Sequence, residues 1–113
     1  MVKNKIHSSE FEKFDTIFNP KHIALIGASE NSTFGAMLYL NAFKESKYSD
    51  TFYPINPKRD EIMGWKCYPS VLDVPYPIDL AYVSLKINHI PKVIKECVEK
   101  NIKWVVVLLL TME

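Results

Sequence analysis

Two stretches of this chain carry residue types that can handle an anion. The first, "HIALIGASENSTFG" (residues 22–35), ends an apolar run in Gly-Ala-Ser and adds a second glycine eight positions after the first. Glycine at a strand end permits φ > 0 and lets the backbone approach a ligand closely. If Gly35 opens a helix, the unpaired N–H groups and partial positive charge of that helix make a seat for phosphate. Gly27, Ala28 and Gly35 would then shape the loop, and Ser29, Ser32 and Thr33 would add hydroxyl donors. The spacing is G-A-S-x5-G and not the dinucleotide fingerprint G-x-G-x-x-G. A plain strand-to-helix turn therefore stays open beside the phosphate loop.

The second stretch, "YPINPKRDEIMGWKCYPSV" (residues 53–71), is more discriminating. Strands of this type in NAD-binding proteins usually end in Asp or Glu, which holds the ribose hydroxyls. Here the strand ends in Asn56-Pro57-Lys58-Arg59, with no carboxylate and two cations. That argues against NAD and for a ligand with an extra phosphate on its ribose. NADP and coenzyme A both qualify. A solvated Lys-Arg turn is the simpler alternative.

The elements that must position these loops follow from periodicity. "IALIG" reads as a strand buried on both faces, as in parallel sheets. Ala36, Tyr39, Leu40 and Phe43 fall on one helix face. "TFYPINP" is a short strand in which Pro54 removes one ladder donor. Residues 57–64 read as a polar loop, "WKCY" as a very short strand and "SVLDVPYP" as one helical turn. "DLAYVSL" is a further strand. Asn88 is placed to cap the next helix, with Pro91 in its first turn and Ile90, Ile94, Cys97 and Val98 as its buried stripe. "WVVVLLL" is the last strand. Before them, "SSEFEKFDTIF" offers a capping box at Ser9 and Glu12 and a short helix ending before Pro20. Strands alternating with helices predict an α/β fold: a Rossmann-like, doubly wound parallel sheet of about five strands with flanking helices. Residues 1–18 form a tail and short helix, and residues 19–113 the domain. Loops after the strands then share one sheet edge, where ligands bind.

Composition narrows the partners. The chain has 113 residues, 48% hydrophobic and 24% charged, enough for one core and not two. A net charge of +1 provides no global basic field for nucleic acid or a membrane surface. The longest apolar run is far too short to span a bilayer, and no signal-type apolar core opens the chain. Two cysteines, Cys67 and Cys97, without CxxC or a His at metal-ligand spacing, read as buried thiols in a reducing, cytoplasmic setting.

The residues also resemble a known family. "IFNPKHIALIGAS", "YPINPKRDEIMGWKCYPSVLDVPYPIDLAYVSL" and "NHIPKVIKECVEKNIKWVVV" are similar to the N-terminal CoA-binding domain of NDP-forming acyl-CoA synthetases. These include ADP-forming acetyl-CoA synthetases and resemble the succinyl-CoA synthetase α-subunit. The resemblance covers residues 17–107, and small standalone CoA-binding proteins share it. It implies coenzyme A as cofactor, with Gly27, Ala28, Ser29 and Gly35 at a CoA phosphate. Asn56, Pro57 and Lys58 match the family's "NPK" segment near the ribose 3′-phosphate. Ser84 to Pro91, including Lys86 and Ile90, match its "VPxxxVP" loop along the CoA. Lys86 stands where the family usually has proline, which leaves either an extra phosphate contact or a solvated substitute. The family's last strand usually runs into a glycine turn, and here it reads "LLLTME".

The complete synthetases of that family join acid, CoA and ATP through a phosphohistidine domain and an ATP-grasp domain. These remaining domains, or a separate subunit, are the implied partners, with CoA or acyl-CoA as ligand. His7, His22 and His89 lack the glycine-rich setting of the family's phosphohistidine, so no catalysis is expected of this chain alone. The apolar last strand points to the front piece of a longer protein or to a homo-oligomer through that strand. The alternative reading is a standalone CoA- or NADP-binding regulatory protein. Trp65 reads as core, or as a stacking partner for adenine.

Overall fold

The computed structural model describes residues 19–29 and 35–108. The helix expected after Ser9, and the loop residues Ser32 and Thr33, lie outside them. Six strands, β1 (Ile23–Ile26), β2 (Phe52–Ile55), β3 (Glu61–Ile62), β4 (Trp65–Lys66), β5 (Leu80–Val83) and β6 (Trp104–Val107), combine with helices α1 (Gly35–Lys44) and α2 (Ile90–Glu99). Four strands form one parallel sheet in the order β2-β1-β5-β6. The order reverses at β1. The chain leaves β1 for β2 on one side and returns to β5 on the other, which opens a crevice at the carboxyl ends of the strands.

The side-chain period of two divides the core. Ala24, Ile26, Tyr53, Ile55, Ala81 and Val83 face α2, where Cys97 is buried. Ile23, Leu25, Phe52 and Leu80 face α1 through Ala36 and Leu40. All four residues of β1 are buried, as its uninterrupted apolar run requires. The helices thus cover opposite faces, which makes the sheet doubly wound. β6 lies at the edge, and its four residues are only half-buried.

Pro54 sits in β2 without breaking the ladder to β1. The N–H and C=O of one strand residue point to the same side. The Pro54 carbonyl accepts from the Tyr68 amide at 3.1 Å, so Pro54 faces away from β1 and its missing donor falls on the outer edge. Tyr68 in turn bridges Ile55 as a single parallel pair.

Three expectations are corrected. "WKCY" adds no fifth strand to the sheet. Trp65–Lys66 pairs instead in a small antiparallel hairpin with Glu61–Ile62, two residues of the stretch read as loop. Met63 and Gly64 turn it with φ of 51° and 88°. Such a turn favours Asn-Gly, and methionine gives no such cue. Asn88 does not cap α2. A 3-10 turn over Ile87–His89 precedes the helix, and no side chain caps it. Finally, Val98 is 67% exposed. The buried stripe runs through Ile90, Val93 and Cys97.

Trp65 is buried against Phe52, with ring centroids 4.6 Å apart, and its indole N–H donates to the Ser49 carbonyl. It belongs to the core and has no free face for an adenine. Both cysteines are buried and free. Burial, and then the neighbouring Glu96, push the Cys97 thiol up to about 11. Burial also raises Cys67.

Gly27 has φ +89°, and a Cβ there would stand 2.1 Å from the Ser84 carbonyl oxygen. At Gly64, with φ +88°, the nearest obstacle is not backbone but the far end of the Lys44 side chain, at 3.2 Å. Urea denaturation is therefore expected to show Gly27→Ala losing about 2–5 kcal/mol and Gly64→Ala only about 1–2 kcal/mol. Equal losses would contradict the close approach of the two backbones at Gly27. The Cys97 thiol gives a pH dependence. The unfolded thiol releases its proton near pH ~8.5, while the folded one holds it to about 11. The unfolded state then binds fewer protons, so stability falls as pH rises through that window. Denaturation at rising alkaline pH should show this decline, and Cys97→Ala should make it shallower, leaving the share that Cys67 contributes.

Candidate functional site

Three strand ends meet at one edge of the sheet, because Ile26 is in register with Ile55 on one side and Val83 on the other. The residues that follow are Gly27, Asn56 and Ser84. The Ile55 carbonyl accepts from both the Gly27 and Ala28 amides, at 3.0 and 3.2 Å. The Ser84 amide donates to the Ile26 carbonyl at 2.8 Å. The chain therefore turns tightly over β2 at Gly27 and Ala28, and both of these N–H groups are engaged by protein.

Asn56 ties the two candidate loops together. Its side-chain amide donates to the Ala28 carbonyl at 2.8 Å, and its side-chain oxygen accepts from the Lys58 amide at 2.8 Å. The second contact is an Asx turn, which curls the chain after β2 so that Lys58 can follow Pro57 around the corner. The Asn56 backbone is held as well. Its amide donates to the Tyr68 carbonyl at 2.9 Å, and its carbonyl accepts the Cys67 thiol at 3.7 Å. An aspartate here could accept from Lys58 but could not donate to Ala28.

A groove of about 410 Å³ opens beside this clasp, within the range of roughly 300–1,000 Å³ typical of small-molecule sites. Its floor is Ile26, Gly27 and Ile55. One wall is Asn56, Pro57 and Lys58, continued by Pro69. The other is Leu85 and the face of α2 carrying His89, Lys92, Val93 and Glu96. These four positions follow the i, i+3, i+4, i+7 spacing of one helical stripe. Lys58, His89 and Lys92 are exposed at the groove, and the Glu96 carboxylate accepts the Ser70 hydroxyl at 2.8 Å. Cationic groups from two elements thus flank a partly apolar floor.

Of the residues singled out in the sequence, Gly27, Asn56, Pro57 and Lys58 line this groove. Ala28 lies beneath it, buried, with its carbonyl held by Asn56. Ser29 follows it, and Gly35 opens α1. Ser84 lies on the Gly27 side of the crevice, where its carbonyl fills the space that a Cβ would take. Lys86 is exposed, and Ile90 packs on the core below the groove. Pro91 takes a first-turn position in α2. None of these last residues lines the groove. Sequence reading missed Lys92, Glu96 and Pro69, and it took His89 only as the start of a helix. A stripe of polar residues on an amphipathic helix normally reads as a solvated face, so only the packing of α2 against the Pro69–Ser70 corner distinguishes it.

His22 stands at the opposite end of the strands. Its Nδ1 is 2.9 Å from the Tyr53 hydroxyl, and the rings of His22, Tyr53 and Tyr76 form a cluster of three with centroids 5.7 to 5.9 Å apart. Asp79 accepts the Lys21 and His22 amides at 2.8 and 3.2 Å and so ties the start of β1 to β5. Both are structural. Among the described residues, no cluster of three His, Cys, Asp or Glu could hold a metal ion, and no helix is long and apolar enough to cross a membrane.

Residues 21–112 match the family described as CoA binding domain. The chain is 45% identical over 89 residues to an ADP-forming acetate–CoA ligase of Methanocaldococcus jannaschii, covering 79% of this chain and 12% of that enzyme. It is 42% identical over 93 residues to an ADP-forming 4-hydroxybutyrate–CoA ligase of Nitrosopumilus maritimus, covering 81% and 13%. Among solved structures, the apo form of the dinucleotide-forming acetyl-coenzyme A synthetase 1 of Ca. Korarchaeum cryptofilum superposes with a TM-score of 0.81 at 35% identity, over 88% of this chain and 22% of that one. The chain therefore spans only a small part of the enzymes it resembles. With its family match over nearly all of its described residues, the chain belongs to the CoA-binding domain family.

Proposed function

We propose that this chain is the CoA-holding part of an ADP-forming acyl-CoA synthetase, and that its groove takes the nucleotide end of coenzyme A. The observation that carries the reading is the meeting of Lys58, from the end of β2, with His89 and Lys92, from α2, around one crevice. The strand that would carry a ribose-binding acid in an NAD protein ends in asparagine and lysine. A ribose 3′-phosphate would complement the exposed Lys58 ammonium. The apolar floor suits the base, and the tight Gly27–Ala28 turn keeps the crevice open at the switch point.

In this reading the chain performs no bond-making step. Its share is to hold CoA in place so that the thiol can attack an acyl-phosphate made by other domains or another subunit, which would carry the phosphohistidine and the ATP-grasp fold. Relatives named for acetate and for 4-hydroxybutyrate resemble this region almost equally, which supports an acyl specificity set outside it.

Calorimetric titration with CoA, 3′-dephospho-CoA, NADP and NAD tests the reading. CoA is expected to bind, and loss of the 3′-phosphate should weaken binding about tenfold or more, one charge-assisted contact being worth roughly 1.5–3 kcal/mol. Lys58→Ala should reproduce that loss and leave dephospho-CoA binding unchanged. Equal binding of CoA and dephospho-CoA would reduce Lys58 to a solvated turn. Asn56→Ala removes both contacts of the clasp. It should cost about 1–3 kcal/mol in thermal or urea unfolding and weaken CoA as well, because Lys58 loses its anchored backbone. A variant of full stability and full affinity would show that the clasp does not organise the site.

A further inference from the structure

The groove is not uniformly cationic, and its asymmetry bears on which ligand fits and which way round. His89, Lys92 and Glu96 share one stripe of α2. Lys92 and Glu96 are one helical turn apart, about 6 Å along the axis. The Lys92 ammonium lies on the first turn, towards the sheet edge where Lys58 stands. The carboxylate lies deeper, where α2 meets the Pro69–Ser70 corner. Its position is fixed, because Oε1 accepts the Ser70 hydroxyl at 2.8 Å while that hydroxyl oxygen also accepts the Leu72 amide at 3.1 Å. Ser70 is thereby locked as the cap of the following 3-10 turn, and Glu96 with it. Pro69 and Val93 supply apolar surface on either side of this end.

A carboxylate accepts hydrogen bonds and donates none. The ligand atom that reaches Glu96 must therefore be a donor, and it cannot be a phosphate. Resting on the coenzyme A reading above, we infer that Glu96, held by Ser70, is the base-selecting residue of the groove: it accepts the exocyclic amine of adenine, while Lys58 and Lys92 take the phosphate end. The assignment fixes the direction of the ligand, since reversal would set phosphate against carboxylate. It also discriminates among bases. A 6-oxo purine presents an acceptor where adenine presents a donor, and a site built around a hydrogen bond rejects the analogue that cannot make it.

The test is calorimetric titration of the full chain with CoA and with the analogue in which hypoxanthine replaces adenine, repeated on Glu96→Gln. Glutamine keeps an acceptor for Ser70 and can turn an amide donor towards a 6-oxo group. The unchanged chain is expected to prefer CoA by about tenfold or more. In Glu96→Gln that preference should fall to about twofold or less, with the thermal transition retained. Equal affinity of the unchanged chain for both ligands overturns the assignment and needs no variant to show it. A preference that survives undiminished in a folded Glu96→Gln also overturns it. In both cases CoA still binds, so the wider reading stands. Failure of the unchanged chain to bind CoA at all overturns both together.

Discussion

The structure depends on one close approach. Where β1 ends, Gly27 lies so near the Ser84 carbonyl that a single added carbon would stand 2.1 Å from that oxygen. The contact forces a left-handed backbone at Gly27, and this turns the chain sharply over β2, where the Ile55 carbonyl catches two successive amides. The ends of β1, β2 and β5 are thereby brought to one level. A side chain at this position would push β5 away from β1 just where the strand order reverses, and the crevice at the switch point would be lost with it.

Upon that turn the second constraint is built. Asn56 uses the donor end of its side chain on the first loop and the acceptor end on the second. The amide is suited to this because it presents both on one rigid plane. The outcome is a crevice whose backbone is settled by protein contacts alone. Such preorganisation lowers the ordering cost that binding would otherwise carry. The Gly27–Ala28 turn therefore acts first as architecture, and Lys58 and Lys92 bring the cationic character of the groove from elements that surround it.

The α2 wall shows why a site can be only half readable. The helix itself was legible from its apolar positions and from Pro91 near its start. Its orientation was not. The stripe Ile90, Val93, Cys97 fits the sequence as well as the stripe through Val98, and the two differ by a modest rotation about the helix axis. That rotation decides whether Lys92 and Glu96 face solvent or line a groove. The β3–β4 hairpin was hidden for a related reason. Its turn places Met63 at φ 51°, a conformation that methionine does not advertise and that contacts around the hairpin impose. The Lys44 ammonium donating to the Met63 carbonyl at 2.6 Å, and lying over the Trp65 ring, is one of them.

By itself the sequence determined the α/β class, the buried β1, the two loops at strand ends and the absence of a ribose-binding acid after β2. Each of these is a local property, because period, punctuation and residue type act over a few positions along the chain. The tertiary structure alone decided that Asn56 clasps both loops, that Trp65 is core, and that α2 supplies the second wall of the groove. These depend on the angle and rotation at which separate elements pack. Those angles are set by the summed fit of many side chains, such as Cys97 beneath α2 and Ser70 beside Glu96, and no single stretch of sequence contains that sum.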